Sequence, residues 1–173
     1  THYFVSSWIN GLFEFRENQL YKLYNAENST LTKIDGMDWI RIGSTVFDSN
    51  GNLWVTNSQA SKSLHVMAPD GKWTGFSFPD MVKNFRSIIV TQSGIKWIAI
   101  GQSGGLFVFD DNGTPENTSD DRYKHLSITN ENGELVSNDV FSIVEDKNGY
   151  IWVGTSKGVV VYYNPDKVFE SGT

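Results

Sequence analysis

The chain has 173 residues, room for one ordinary domain or a small pair, and 14 Lys plus Arg against 20 Asp plus Glu give a formal net charge of −6. That acidity argues against a nucleic-acid binder, which carries a clustered basic face, and no apolar run approaches the roughly 18 residues that span a bilayer. The lack of cysteine excludes a disulfide scaffold, a zinc ribbon and a thiol nucleophile, while six Trp, seven Tyr and eleven Phe beside 16 Gly and four Pro favour an all-β protein with many tight turns.

Thr1 falls within a strand-like pattern, so no signal peptide is expected here. Gly11-Leu12 then opens a run through Phe13-Glu14-Phe15, and Leu20 to Tyr24 forms the next. Ile42 to Phe47 enters a turn and leaves through Trp54; Leu64 to Met67 and Trp73 to Phe78 follow. The order repeats as Phe85 to Val90, a run through Trp97, Leu106 to Phe109 and Tyr123 to Ile128. It begins a third time as Val140 to Glu145, a run through Trp152 and Val159 to Tyr163. Prolines 69, 79, 115 and 165 all fall between runs, as turns require.

Three segments align. Asp48-Ser-Asn-Gly51-Asn-Leu-Trp54, Thr91-Gln-Ser-Gly94-Ile-Lys-Trp97 and Asp146-Lys-Asn-Gly149-Tyr-Ile-Trp152 place their tryptophans 43 and 55 residues apart. Each reads as a hairpin whose Gly takes φ > 0. Four short strands per repeat of that length predict propeller blades, since no stretch sustains a helical stripe. Leu106 to Phe109 and Val159 to Tyr163 are apolar on both faces, as strands buried between stacked blades are, and the repeated Trp is expected to wedge between blades. The chain therefore reads as all-β, a single partial propeller domain over 1–173 of just under four four-stranded blades. Approximate blades are 1–25 (incomplete), 26–78, 79–128 and 129–173 (incomplete). It is expected to be a fragment of a propeller of about seven or eight blades, open blade edges making self-association a further expectation.

The stretch Val140-Phe-Ser-Ile-Val-Glu-Asp146-Lys-Asn-Gly149-Tyr-Ile-Trp152-Val-Gly-Thr155-Ser-Lys-Gly158-Val resembles the two-component regulator propeller repeat. Thr56-Asn57 and Ala99-Ile100 replace its Gly-Thr pair in the middle units. The resemblance implies an extracytoplasmic propeller, in the periplasm or at the cell surface, in one of two branches. One is the glycan-sensing periplasmic half of hybrid two-component systems; the other is the PorZ-like surface propellers associated with type IX secretion. Ser6-Ser7-Trp8-Ile-Asn-Gly11-Leu12, Tyr24-Asn25-Ala-Glu-Asn28 and Gly158-Val-Val-Val-Tyr-Tyr-Asn164-Pro165 resemble the second more. It implies a non-catalytic module for ligand or protein binding or scaffolding, with a propeller lyase as the reading from another class.

Gly101-Gln102-Ser103-Gly104-Gly105 spells the hydrolase elbow, but a strand rather than a helix follows, so it reads as a hairpin turn. Asp110-Asp111-Asn112-Gly113 with Asp120-Asp121 lacks calcium-loop spacing and reads as a solvated loop. His2, His65 and His125 are scattered, so neither a metal site nor a cofactor is expected. Trp54, Trp97 and Trp152, with Gly51, Gly94 and Gly149, are expected to anchor the repeat. Trp8, Gln102 and Lys157 fall in loops joining second to third strands, and Trp39, Arg41 and Arg86 at or beside loops joining fourth to first strands. In a propeller those loops share one face, where aromatic planes and guanidinium or amide donors suit a glycan or protein ligand.

Overall fold

The computed structural model describes residues 1–78 and 83–170, so Pro79 lies outside the described residues. Among the described residues fourteen strands, all short, build four sheets. The first sheet holds β1 (His2–Ser6), β2 (Leu12–Arg16) and β3 (Gln19–Tyr24). The second holds β4 (Ile42–Phe47), β5 (Leu53–Asn57), β6 (Leu64–Met67) and β7 (Trp73–Phe76). The third holds β8 (Phe85–Val90), β9 (Lys96–Ile100), β10 (Leu106–Asp110) and β11 (Arg122–Leu126). The last holds β12 (Val140–Glu145), β13 (Ile151–Thr155) and β14 (Gly158–Tyr162), with a 3-10 turn at Pro165–Lys167. Each strand neighbours the next in sequence, giving antiparallel meanders of three or four strands. Among the described residues the first sheet has no counterpart of β4 and the last none of β7.

The chain divides into two compact units, 1–86 and 87–173. In the first, Leu12 and Tyr24 of one sheet pack with Ile42, Leu53 and Val55 of the next, and Phe4 meets Phe47 at 5.9 Å between ring centroids. In the second, Trp97, Ala99, Leu106 and Val108 pack with Val140, Ile151 and Val153. β5, β9 and β10 are buried along their whole length, which is why they carry apolar residues on both faces.

The tryptophan hairpins share one construction. Gly51, Gly94 and Gly149 have φ of +81°, +90° and +80°, and each amide donates to the carbonyl of the residue three before it. Asp48 Oδ1 accepts the amides of Asn50 and Asn52, and its Oδ2 accepts the indole N–H of Trp54 at 2.9 Å. Asp146 repeats this with the amides of Asn148 and Tyr150 and the indole of Trp152 at 2.9 Å. Hydrogen bonds, led by those from the two indoles, more than offset the burial that would raise these carboxyls, and both are held below the usual range. In the middle repeat Thr91 replaces the aspartate, and the buried Trp97 indole N–H has no partner.

Two expectations need correcting. Val159 to Tyr163 is not buried on both faces: Val159 is 65 % exposed, and Trp152 on the same face of the last sheet is 41 % exposed. The side facing Trp97 is packed, whereas among the described residues nothing in this unit covers the other. Nor is the acidic stretch after β10 simply solvated. Lys96 stands where the other repeats have Leu53 and Ile151, and this buried ammonium pairs with the equally buried Asp111. Asp110 pairs with Arg122 at 2.5 Å.

Candidate functional site

The site begins with backbone. At the end of β5, the Ser58 amide and the Asn57 side chain both donate to the carbonyl of Arg41, at 2.8 and 3.2 Å. That fixes the residue entering β4. Its guanidinium then lies over the Trp8 ring, 4.6 Å from the centroid, while Nη1 donates to the side-chain oxygen of Gln59. Gln59 has φ +62°, a left-handed conformation that reverses the chain beside the arginine.

On the other side, Thr56 Oγ1 donates to the Arg86 carbonyl at 3.0 Å and Ser58 Oγ to Asn84 Oδ1 at 2.9 Å. β4 makes room by being glycine at Gly43. A Cβ there would sit 2.7 Å from the carbonyl oxygens of both Phe85 and Arg86 and 2.9 Å from Thr56 Oγ1. The result is a cavity of about 260 Å³ lined by Trp8, Arg41, Gly43, Ser58, Asn84, Phe85 and Arg86. Trp8 forms an open wall, 62 % exposed.

The cavity thus collects Trp8, Arg41 and Arg86 of the residues expected at a ligand. Trp39 does not line it; its carbonyl accepts the Ile34 amide in the connection before β4. Gln102 and Lys157 belong to the second unit. Gln102 is an exposed turn residue at φ +59°, and the Lys157 amide donates to Thr155 Oγ1. In that unit the corresponding loops bring together hydroxyls and a carboxylate: Ser103 and Ser156 donate to Asp139, and the Ser137 and Ser156 hydroxyls pair at 2.8 Å. Asp139 escaped sequence reasoning, as did Ser58, Phe85 and Gly43. Only Gly43 carried a signal, a glycine inside a strand.

The hydrolase-like sequence is a turn, Gly101 to Ser103, running into β10. His65 is buried and held from both ring nitrogens, by the Thr30 hydroxyl at 2.9 Å and the Lys62 carbonyl at 3.1 Å. Burial above all pushes its pKa down to about 4, so it stays neutral. Among the described residues no group of three or more His, Cys, Asp or Glu is placed to hold a metal ion.

Residues 134–157 match the two component regulator propeller family. No curated protein matches the chain. Among solved structures it is similar to PorZ, named as an essential bacterial surface component of the type-IX secretion system of the human oral-microbiomic Porphyromonas gingivalis. Identity is 30 % and the TM-score 0.89 over 99 % of this chain, which spans 24 % of PorZ. It is also similar to the extracellular domain assigned to a hybrid two component system of B. thetaiotaomicron, at 24 % identity and TM-score 0.64, over 95 % of this chain and 20 % of that one. Virginiamycin B lyase from Staphylococcus aureus shares the fold at 18 % identity and TM-score 0.51, over 76 % of this chain and 44 % of the enzyme.

Proposed function

Since the chain carries a two component regulator propeller repeat and its four sheets match portions of extracellular propellers, we propose that it is a non-catalytic binding module of the bacterial envelope. It works outside the cytoplasm, as part of a PorZ-like scaffold. The observation that carries this reading is the cavity of the first unit, where the exposed Trp8 indole and the Arg41 guanidinium stacked on it meet beside Gly43, Ser58, Asn84 and Arg86. Aromatic planes beside polar donors suit a saccharide ring, and rigid strands presenting such loops are how propellers bind. Among the described residues the lining offers no carboxylate and no histidine.

A titration of the 173-residue chain followed by amide NMR tests the proposal, using a panel of mono- and oligosaccharides. Binding is expected to shift the signals of Trp8, Gly43 and Arg86 first, and Trp8→Ala is expected to abolish it. Shifts confined to the second unit, or turnover of a saccharide by the chain, would overturn the reading.

A further inference from the structure

We propose that Asp121 is a proton-operated latch on the connection between β10 and β11: with a proton on its carboxyl the connection closes, and without one it loosens. The geometry is that of a carboxylate held where its charge is not met. Asp121 Oδ1 is buried and, among the described residues, has no hydrogen-bond partner. The Lys96 ammonium from β9 is committed to Asp111, and both of those side chains are only 3 % exposed. Asp110, at the end of β10, is paired with Arg122 at the start of β11. Asp120 accepts from Thr114 Oγ1 at 3.1 and 3.3 Å through its two oxygens, and its backbone carbonyl accepts the Asn112 side-chain amide. Asp110, Asp111 and Asp120 thus each have a partner where Asp121 Oδ1 has none.

A buried acceptor without a donor is costly, and a charged one beside like charges more so. A proton removes that cost twice over, cancelling one negative charge and turning the carboxyl into a donor for a neighbouring carboxylate. Burial first, then repulsion from Asp111, Asp120 and Asp110, pushes the Asp121 pKa up to about 6 against the pull of Lys96. An acid whose pKa is raised by folding holds its proton more tightly in the closed state. Acid therefore closes the connection, and the closure is lost as pH rises through about 6. The sign is opposite to that of Asp48, Asp146 and His65, whose contributions are lost in acid, so those groups cannot imitate it. Within the connection the Thr114 amide donates to the Asp111 carbonyl and the Asn117 amide to the Thr114 carbonyl, both at 2.9 Å, and these two amides report its opening.

The test is local, on the 173-residue chain. Carbon-13 NMR of the side-chain carboxyls is expected to place the Asp121 inflection near 6. Hydrogen exchange, corrected for the pH dependence of the exchange chemistry itself, is expected to show the Thr114 and Asn117 amides opening about tenfold less often at pH 5 than at pH 7. Asp121→Asn keeps the shape without the charge and is expected to hold the connection closed at both pH values. Glu116→Gln, which removes a charge elsewhere in the same connection, is expected to leave the pH response as it is in wild type. An Asp121 inflection at the ordinary 3.8, opening that does not change with pH in the wild type, or a response of full size in Asp121→Asn would overturn the proposal.

Discussion

Replacing Thr91 by Asp is expected to stabilise the second unit, because two of the three tryptophan hairpins already show what the third lacks. Asp48 and Asp146 each join two turn amides to one indole N–H, whereas Trp97 is wholly buried with its N–H unpaired. Thr91 Oγ1 covers only part of the role, accepting the Ile95 amide at 3.0 Å and sharing a bond with Ser93. A buried unpaired donor costs about 1–3 kcal/mol, and a carboxylate would recover it while losing some of its own hydration. The balance is favourable at Asp48, where bonds to Trp54 and Asn52 outweigh burial and hold the carboxyl low. A net gain of about 1 kcal/mol at pH 7 follows, or roughly 2–4 °C in the melting of a unit in a chain of this size. The sign with pH is fixed: a carboxyl lowered by folding stabilises above its unfolded pKa, and the gain disappears as acid titrates the folded group. Thermal melts of wild type and Thr91→Asp at pH 7 and pH 3, with the Trp97 indole proton followed by NMR, measure it. An unchanged or lowered melting point at pH 7, with the indole signal unmoved, would refute the reasoning.

Acid acts on His65 in the same direction for a different reason. Its folded pKa of about 4 lies below the unfolded 6.5, so stability is expected to drop by about 3 kcal/mol as pH falls from 6.5 to 4, and urea titrations of His65→Gln are expected to show a flatter profile. Gly43→Ala is expected to cost about 1–3 kcal/mol in urea denaturation and to weaken ligand binding, since its Cβ meets backbone on two sides; a neutral effect would mean that β4 and β8 yield easily. The apolar face of Val144, Trp152 and Val159 is expected to make the chain associate with rising concentration, and Trp152→Lys with Val159→Lys to prevent it. Light scattering that reads a strict monomer for wild type at high concentration would refute this.

The repeat was legible because its information is local. Asp-x-Asn-Gly-x-x-Trp fixes turn, glycine conformation and the indole's partner within seven residues, and even the defect at Trp97 is written in Thr91. The site was legible in part. Repeat register singled out Trp8, Arg41 and Arg86, which line one cavity, but the same rule proposed Trp39, Gln102 and Lys157, which do not line it or belong to the other unit. What separates the two groups is the close approach of Phe85 and Arg86 to Gly43, a contact between distant segments that register does not encode. Burial of Trp152 was expected from the repeat, yet it depends on what lies against the sheet and not on the sheet's own sequence.

The meander has a consequence for how this molecule loses its structure. Among the described residues every sheet is completed by strands that follow one another in the chain, with no late strand returning to an early sheet. Each sheet thus holds its own set of neighbour-strand pairings, as tandem-repeat proteins do, and damage need not spread as an all-or-none event. Amide hydrogens of β12 and β13 would then keep their protection in a variant such as Gly43→Ala while those of β4 and β5 exchange sooner. Hydrogen exchange would resolve two free energies of opening where a single melting curve averages them.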